Sequence, residues 1–423
     1  MRLLLVTSVI LAASLARADD ALTVPTPLTL EWSLERAREA NPSLEALQAL
    51  SEAASHRVRP AGALDDPRIA YDASNIPTGD FDFDSTPLSG HQLGLRQKLP
   101  FPGLLSNRKA AARKAAEATE LLVEDRELVV DSAVESAWAE LAFAQQALDI
   151  TRRNIALLRQ LSATAESRYR VGGGLQQDVL RAQVELTALL EQELRRAEAI
   201  ERAEARLVAL LDLPPDLELP RTAALVLDAP LPALPPLFER LESTNARLRA
   251  AARGVEEARH RVRVSELEGM PDIDLGLGYR VRRDVTGDPV NGDDFLSAGF
   301  TVRLPLDRSK WRARVAERNA LLRRAEASLR DVRNTLGARV RTAHAELTRA
   351  LSEEALLETG LIPQARQSLA SSRSAYEVGR IEFLSLLDSQ VRLLDAELRL
   401  ARARADKRSA FAILETASGE KLR

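Results

Sequence analysis

The chain has 423 residues, of which 45% are hydrophobic, 29% charged and only 4% aromatic, with a formal net charge of −3. It contains no cysteine, which excludes disulfides and an N-terminal lipid-bearing cysteine, and its mild acidity speaks against a nucleic-acid partner, which would favour a clearly basic face. Alanine, leucine, arginine and glutamate dominate, a profile that fits long helices packed through small residues better than an aromatic-rich globular core.

The chain opens Met1-Arg2, runs through an apolar stretch from Leu3 to Leu15 and reaches Ala16-Arg17-Ala18. A charged start, a short apolar core and an A-x-A site read as a cleaved secretory signal over 1–18, too short for a spanning helix of about 20 residues. Losing Arg2 and Arg17 from the 59 basic residues leaves 57 against 62 acidic ones. Short helices are then predicted at about 32–40 and 43–59, followed by a hairpin over 67–99. Its strands alternate through Ile69, Tyr71 and Ala73, then Leu93, Leu95 and Leu99. Long helices follow at about 104–168 and 176–211. A connector at 213–236 carries Pro214, Pro215, Pro220, Pro230, Pro232, Pro235 and Pro236, and should run extended over a surface. Beyond it the order repeats, with helices at about 236–244 and 246–267, a hairpin over 271–304, and long helices at about 308–375 and 381–416.

The second hairpin alternates most cleanly. Ile273, Leu275, Leu277, Tyr279 and Val281 interleave with Asp274, Gly276, Gly278 and Arg280; Leu296, Ala298, Phe300, Val302 and Leu304 interleave with Ser297, Gly299, Thr301 and Arg303. One apolar and one polar face is the pattern of a strand between lipid and water. Two hairpins cannot close a barrel alone, since about eight strands are the practical minimum, so several chains must share one. The loops at 77–90 and 284–294 are polar and acidic, including Asp80, Asp84, Ser85, Asp284 and Asp288, and fit no calcium-loop spacing.

A helix of about 65 residues would be close to 100 Å long and must lie along partners. Val134, Leu141, Leu148 and Ile155 recur every seven residues, as do Val315, Leu322, Leu329 and Leu336, and Leu384, Leu387, Val391, Leu394 and Leu398 step by three and four. That is coiled-coil spacing.

The two halves are copies. Asn41-Pro42-Ser43-Leu44 matches Asn245-Ala246-Arg247-Leu248 at a spacing of 204, and Leu99-Pro100 matches Leu304-Pro305 at 205. Ala139-Glu140-Leu141 matches Ala345-Glu346-Leu347 at 206; Tyr169, Val171 and Gly172 match Tyr376, Val378 and Gly379 at 207. This sets a first repeat over 19–212 and a second over 237–423.

These residues resemble the TolC-type outer membrane efflux family over essentially the whole mature length. The likeness rests on Leu28-Thr29-Leu30-Glu31 through Asn41-Pro42-Ser43-Leu44, on the junction Gln97-Lys98-Leu99-Pro100-Phe101-Pro102-Gly103, and on both Tyr-x-Val-Gly turns. It implies a mainly α fold with a membrane β part, in which a homotrimer builds a 12-stranded barrel in outer membrane lipid and a periplasmic helical barrel. It further implies an exit duct working with a periplasmic adaptor (membrane fusion) protein and an inner-membrane pump, taken as proton-driven. The short loops and the Leu-Pro-Phe-Pro-Gly junction look most like the CzcC-type heavy-metal branch. From the residues themselves, a periplasmic adaptor and a structural coiled coil of the envelope are the rival readings. No catalytic constellation appears, and no metal-ligand cluster forms among His56, His91, His260, His344, Met1 and Met270.

The turns after Tyr169 and Tyr376 reverse the chain far from the hairpins, and the glycine after valine fits a helix C-terminal cap. The resemblance implies that Val171, Gly172, Val378 and Gly379 meet the adaptor. Ser385 and Asp388 lie three apart on one helical face, at positions that in the family face a periplasmic aperture ringed by acids; Asp178 and Arg181 are their counterparts in the first copy. A repeated carboxylate would draw cations into a narrow pore, and an Arg181–Asp388 pair between neighbouring helices could hold it shut. The plain alternative is a charge solvated on a helix flank.

Overall fold

A computed structural model describes residues 23–79, 81–82, 86–227 and 230–422. The expected signal segment, and Asp80, Asp84 and Ser85 of the first acidic loop, lie outside the described residues.

Helix α1 (Leu30–Ala40) is capped by Thr29, whose hydroxyl accepts from the Trp32 amide at 3.3 Å. The next residue, Asn41, starts α2 (Pro42–His56) in the same way, accepting from the Ser43 amide at 3.0 Å. The expected helix over 43–59 breaks at Arg57 and resumes as the single turn α3 (Val58–Ala61), because Pro60 has no N–H to give the carbonyl four residues back. Then come strands β1 (Arg68–Ser74) and β2 (Gly90–Leu99), and helices α4 (Leu104–Arg170) and α5 (Gln176–Leu210). The second half supplies α6 (Leu234–Thr244), α7 (Ala246–Glu268), β3 (Asp272–Val281), β4 (Phe295–Arg303), α8 (Arg308–Leu356), α9 (Ile362–Glu377) and α10 (Phe383–Ser418).

The copies share a joint that explains the Asn-containing motif. Asn41 donates from Nδ2 to the Leu210 carbonyl at 2.9 Å, and Asn245, which caps α7, donates to the Ala417 carbonyl at 3.1 Å. Each asparagine thus ties the start of one helix to the end of its repeat's last helix. The next turn needs left-handed backbone in both copies: Asp212 at φ 50° in the first, Gly419 at φ 81° in the second.

Helix α4 has 67 residues, about 100 Å at 1.5 Å per residue, and packs against α5, α7 and α10. Both interleaved heptad rows are inside: Val134, Leu141, Leu148 and Ile155, with Ala137, Ala144, Thr151 and Leu158. The matching helix of the second copy is not continuous. A π turn at Leu357–Leu361 separates α8 from α9, and Pro363 is the second residue of α9. The repeat spacing is 206 at Ala345 and 207 at Tyr376, so one extra residue enters between them. A π turn is how a helix takes up one inserted residue without changing the face it presents beyond.

The four strands form one antiparallel sheet in the order β1-β2-β3-β4, so the two copies join through β2 and β3. Rows across the sheet run Tyr71–Leu93–Tyr279–Leu296 and Ile69–Leu95–Leu277–Ala298 on one face. The other face carries Arg68–Arg96–Gly276–Gly299 and Ala70–Gly94–Gly278–Ser297. All eight Asp, Glu, Lys and Arg residues of the strands (Arg68, Asp72, Arg96, Lys98, Asp272, Asp274, Arg280, Arg303) fall on that second face. The apolar face is open in the single chain, with Ile69 76%, Leu296 77% and Phe300 73% exposed. No helix among the described residues is long and apolar enough to cross a membrane.

Candidate functional site

The site has two ends, the sheet and the far helix tips. At the base of the sheet, Asp272 is buried and receives Lys98 at 3.4 Å and Arg303 at 2.7 Å, pinning β3 between β2 and β4. The strands enter the long helices differently. Before α4 the chain turns through Gly103 at φ 90°, where a side chain would be strained. Before α8, Asp307 caps the helix instead, accepting from the Lys310 amide at 3.0 Å, and the Ser309 hydroxyl holds its carboxyl below the usual carboxylate range. Between β3 and β4 the loop closes on Arg282 and Asp288, 2.5 Å apart and both buried; this contact lowers the Asp288 pKa.

At the tips the two copies make the same turn. Gly173 N–H reaches the Arg168 carbonyl at 2.9 Å, and Arg380 N–H reaches the Ala375 carbonyl at 2.8 Å. Gly172 and Gly379 each take φ 76°. These are Schellman caps, in which glycine carries the left-handed residue. Val171 and Val378 stand out from them, 80% and 68% exposed.

The tyrosines that precede these turns part company. Tyr169 is 45% exposed, whereas Tyr376 is 3% exposed, set edge-on to the buried Phe383 ring at 5.5 Å. The Arg168 guanidinium lies 4.7 Å over the Tyr376 ring, donates through Nη1 to the Tyr376 carbonyl and through Nη2 to the Gly173 carbonyl at 2.9 Å. One side chain therefore clamps both turns. The Tyr376 hydroxyl is buried with no hydrogen-bond partner among the described residues, and burial, followed by the nearby Asp178 charge, raises its pKa.

The residues expected to face an aperture, Asp178, Arg181, Ser385 and Asp388, lie on α5 and α10. Asp388 is exposed and receives Arg392 Nε at 2.8 Å, one turn along its own helix. Among the described residues Arg181 makes no salt bridge to Asp388 within one chain, and Asp388 pairs with Arg392 instead. Ser385 is exposed, and its carbonyl accepts from the Ser389 hydroxyl at 3.0 Å. Asp178 sits in the first turn of α5, where a carboxylate suits the helix dipole. Arg181 is half-buried one turn on. Arg168 was not anticipated; its counterpart in the second copy is Ala375, and that break in the repeat is the only signal the sequence offers.

Set against known proteins, residues 33–212 and 237–420 match the family model described as outer membrane efflux protein. The chain belongs to this family. It is 31% identical to protein CyaE of Bordetella pertussis over 299 residues, which span 68% of this chain and 61% of that protein. Among solved structures, the outer-membrane channel OprN superposes with a TM-score of 0.79 at 21% identity, over 92% of this chain and 89% of the other. The outer membrane protein VceC of Vibrio cholerae does so with a TM-score of 0.78 at 20% identity, over 93% and 97%. The likeness covers more than nine-tenths of the chain in both cases, so this efflux-family chain shares its fold with outer-membrane channels.

Proposed function

We propose that this chain is the outer-membrane duct of a tripartite efflux assembly, a passive exit for cargo delivered by an inner-membrane pump, taken as proton-driven, through a periplasmic adaptor. The observation that carries the proposal is the sheet: one uncharged apolar face left open to the surroundings, and every strand Asp, Glu, Lys and Arg on the other. That division suits lipid outside and water inside. Three chains supply twelve strands, wide enough for an aqueous lumen where eight would be filled by side chains. The helices support the same reading. Leu180, Val184 and Leu194 of α5 and Leu384 and Val391 of α10 stay exposed in one chain, although their spacing is that of a packed seam, and a second copy would cover them.

The exposed valines and adjoining glycines at 171–172 and 378–379 are the surface offered to an adaptor, and Asp388 with Asp178, Arg181 and Ser385 lines the aperture in the assembled trimer. The heavy-metal branch rests only on the junction motif and short loops, so the proposal does not extend to a metal cargo. The test is outer-membrane fractionation and planar-bilayer recording of the purified protein. A detergent-resistant oligomer with discrete conductance is expected, and Asp388→Ala should raise that conductance. A freely soluble monomer would end the channel reading; unchanged conductance in Asp388→Ala would remove only the gating role.

A further inference from the structure

Resting on the channel reading above, we propose that the wall of the strand lumen is an electropositive collar, centred on Arg68 and Arg96, that favours cargo bearing carboxylate or phosphate groups. Five of the eight charged strand residues are basic and three acidic. Each acid has a base in its own row: Asp272 is held by Lys98 and by its row partner Arg303, Asp274 stands directly opposite Lys98, and Asp72 shares a row with Gln92 and Arg280, although among the described residues Asp72 and Asp274 make no salt bridge.

Arg68 and Arg96 are different. They are direct cross-strand partners, an arrangement of like charges that normally costs stability. Among the described residues neither makes a salt bridge. Their row continues as Gly276 and Gly299, which bring neither a counter-charge nor a shielding side chain. Of the two adjoining rows, one is as bare, with Ala70, Gly94, Gly278 and Ser297, and the other sets Lys98 against Asp274 beside Thr301. A wall built only to be wet has no need of two opposed guanidinium groups over a floor without side chains. An anion passing in the lumen supplies the charge this row lacks. Threefold repetition inside low-dielectric walls would concentrate the field across the bore. This collar opposes in sign the carboxylates at the periplasmic end, so the two ends of the duct would select differently.

The lack of cysteine makes the potential measurable. A cysteine introduced as Gly299→Cys lies in the arginine row, where an added Cβ meets no atom within 4 Å. Its reaction in outer membranes with a sulfonate-bearing and a trimethylammonium-bearing methanethiosulfonate is compared with the same pair of rates on a free thiol. A potential of a few kT acts oppositely on the two reagents and should favour the anionic one by about a hundredfold, and adding Arg68→Gln and Arg96→Gln should abolish that preference. A preference for the cation, or a ratio indifferent to the two arginines, overturns the collar. Ala298→Cys, on the lipid face, should react with neither reagent. Should Ala298→Cys react while Gly299→Cys does not, the channel reading itself fails, and the collar with it. If Gly299→Cys does not reach the membrane, Ser297→Cys, one row away on the same face, gives the same comparison.

Discussion

The two tips carry one motif and reach two outcomes. Tyr169 and Tyr376 occupy matching positions before matching glycine caps, yet the first is in solvent and the second is among the most enclosed aromatics of the chain. The cause lies one residue back. Position 168 is arginine and its counterpart 375 is alanine, so only the first copy can reach across, and it reaches onto the second tyrosine. A duplicated chain therefore becomes asymmetric where its two halves touch, at the end of the molecule far from the sheet.

Truncating the two tyrosines tests this contrast most severely. Tyr376→Ala should destabilise the tip by about 3 to 5 kcal/mol, the range for a buried aromatic, while Tyr169→Ala should stay within about 0.5 kcal/mol. Hydrogen exchange over 165–180 and over 372–390 reads the two effects, and equal ones would dissolve the comparison. At the opposite joint, Gly419→Ala should cost about 3 kcal/mol, since its Cβ would lie 2.4 Å from the Asn245 Cα on backbone at φ 81°. Asp212→Gly, at the matching position, should leave thermal stability unchanged or slightly raised, because glycine takes that backbone without strain. Arg168→Ala should cost about 2 kcal/mol, the scale of a charge-assisted hydrogen bond, and speed exchange at both turns. Faster exchange at one turn alone would show that Arg168 does not couple them.

The smallest effect is alkaline. The Tyr376 pKa lies above the ordinary tyrosine value of 10.0 in the fold, through burial first and Asp178 second. Its packing is therefore fully present below pH 10 and is lost as pH rises through the folded value. The difference in phenolate absorbance between the parent chain and Tyr376→Phe should show a tyrosine that ionises late, and the loosening of the second tip that accompanies it should be absent from Tyr376→Phe.

Much of the architecture was legible. Period-two alternation marked all four strands, because each has one face without charge. Glycine after Tyr-x-Val marked the tips, because only a residue free of Cβ strain closes those caps easily. The helix over 308–375 was read as unbroken, since a π turn leaves the apolar spacing on each side intact; the drift from 206 to 207 was its only trace. A buried polar cluster left no signal at all. Asp131, Glu135 and Glu415 are within 3% of full burial and are met by Arg38, Arg408 and Lys421 from distant segments. In a sequence with 29% charged residues, nothing separates these from charges on a solvated flank.

Periodicity and turn chemistry are local properties, so the sequence by itself determined which segments are strands, which are very long helices, where each half reverses and that the halves repeat. The pairing of β2 with β3, the burial of one tyrosine rather than its twin, the arginine that clamps both tips and the unanswered arginine row on the sheet were decided only in the tertiary structure. Each depends on which distant side chains meet, and a meeting of distant residues leaves no spacing along the chain to be read.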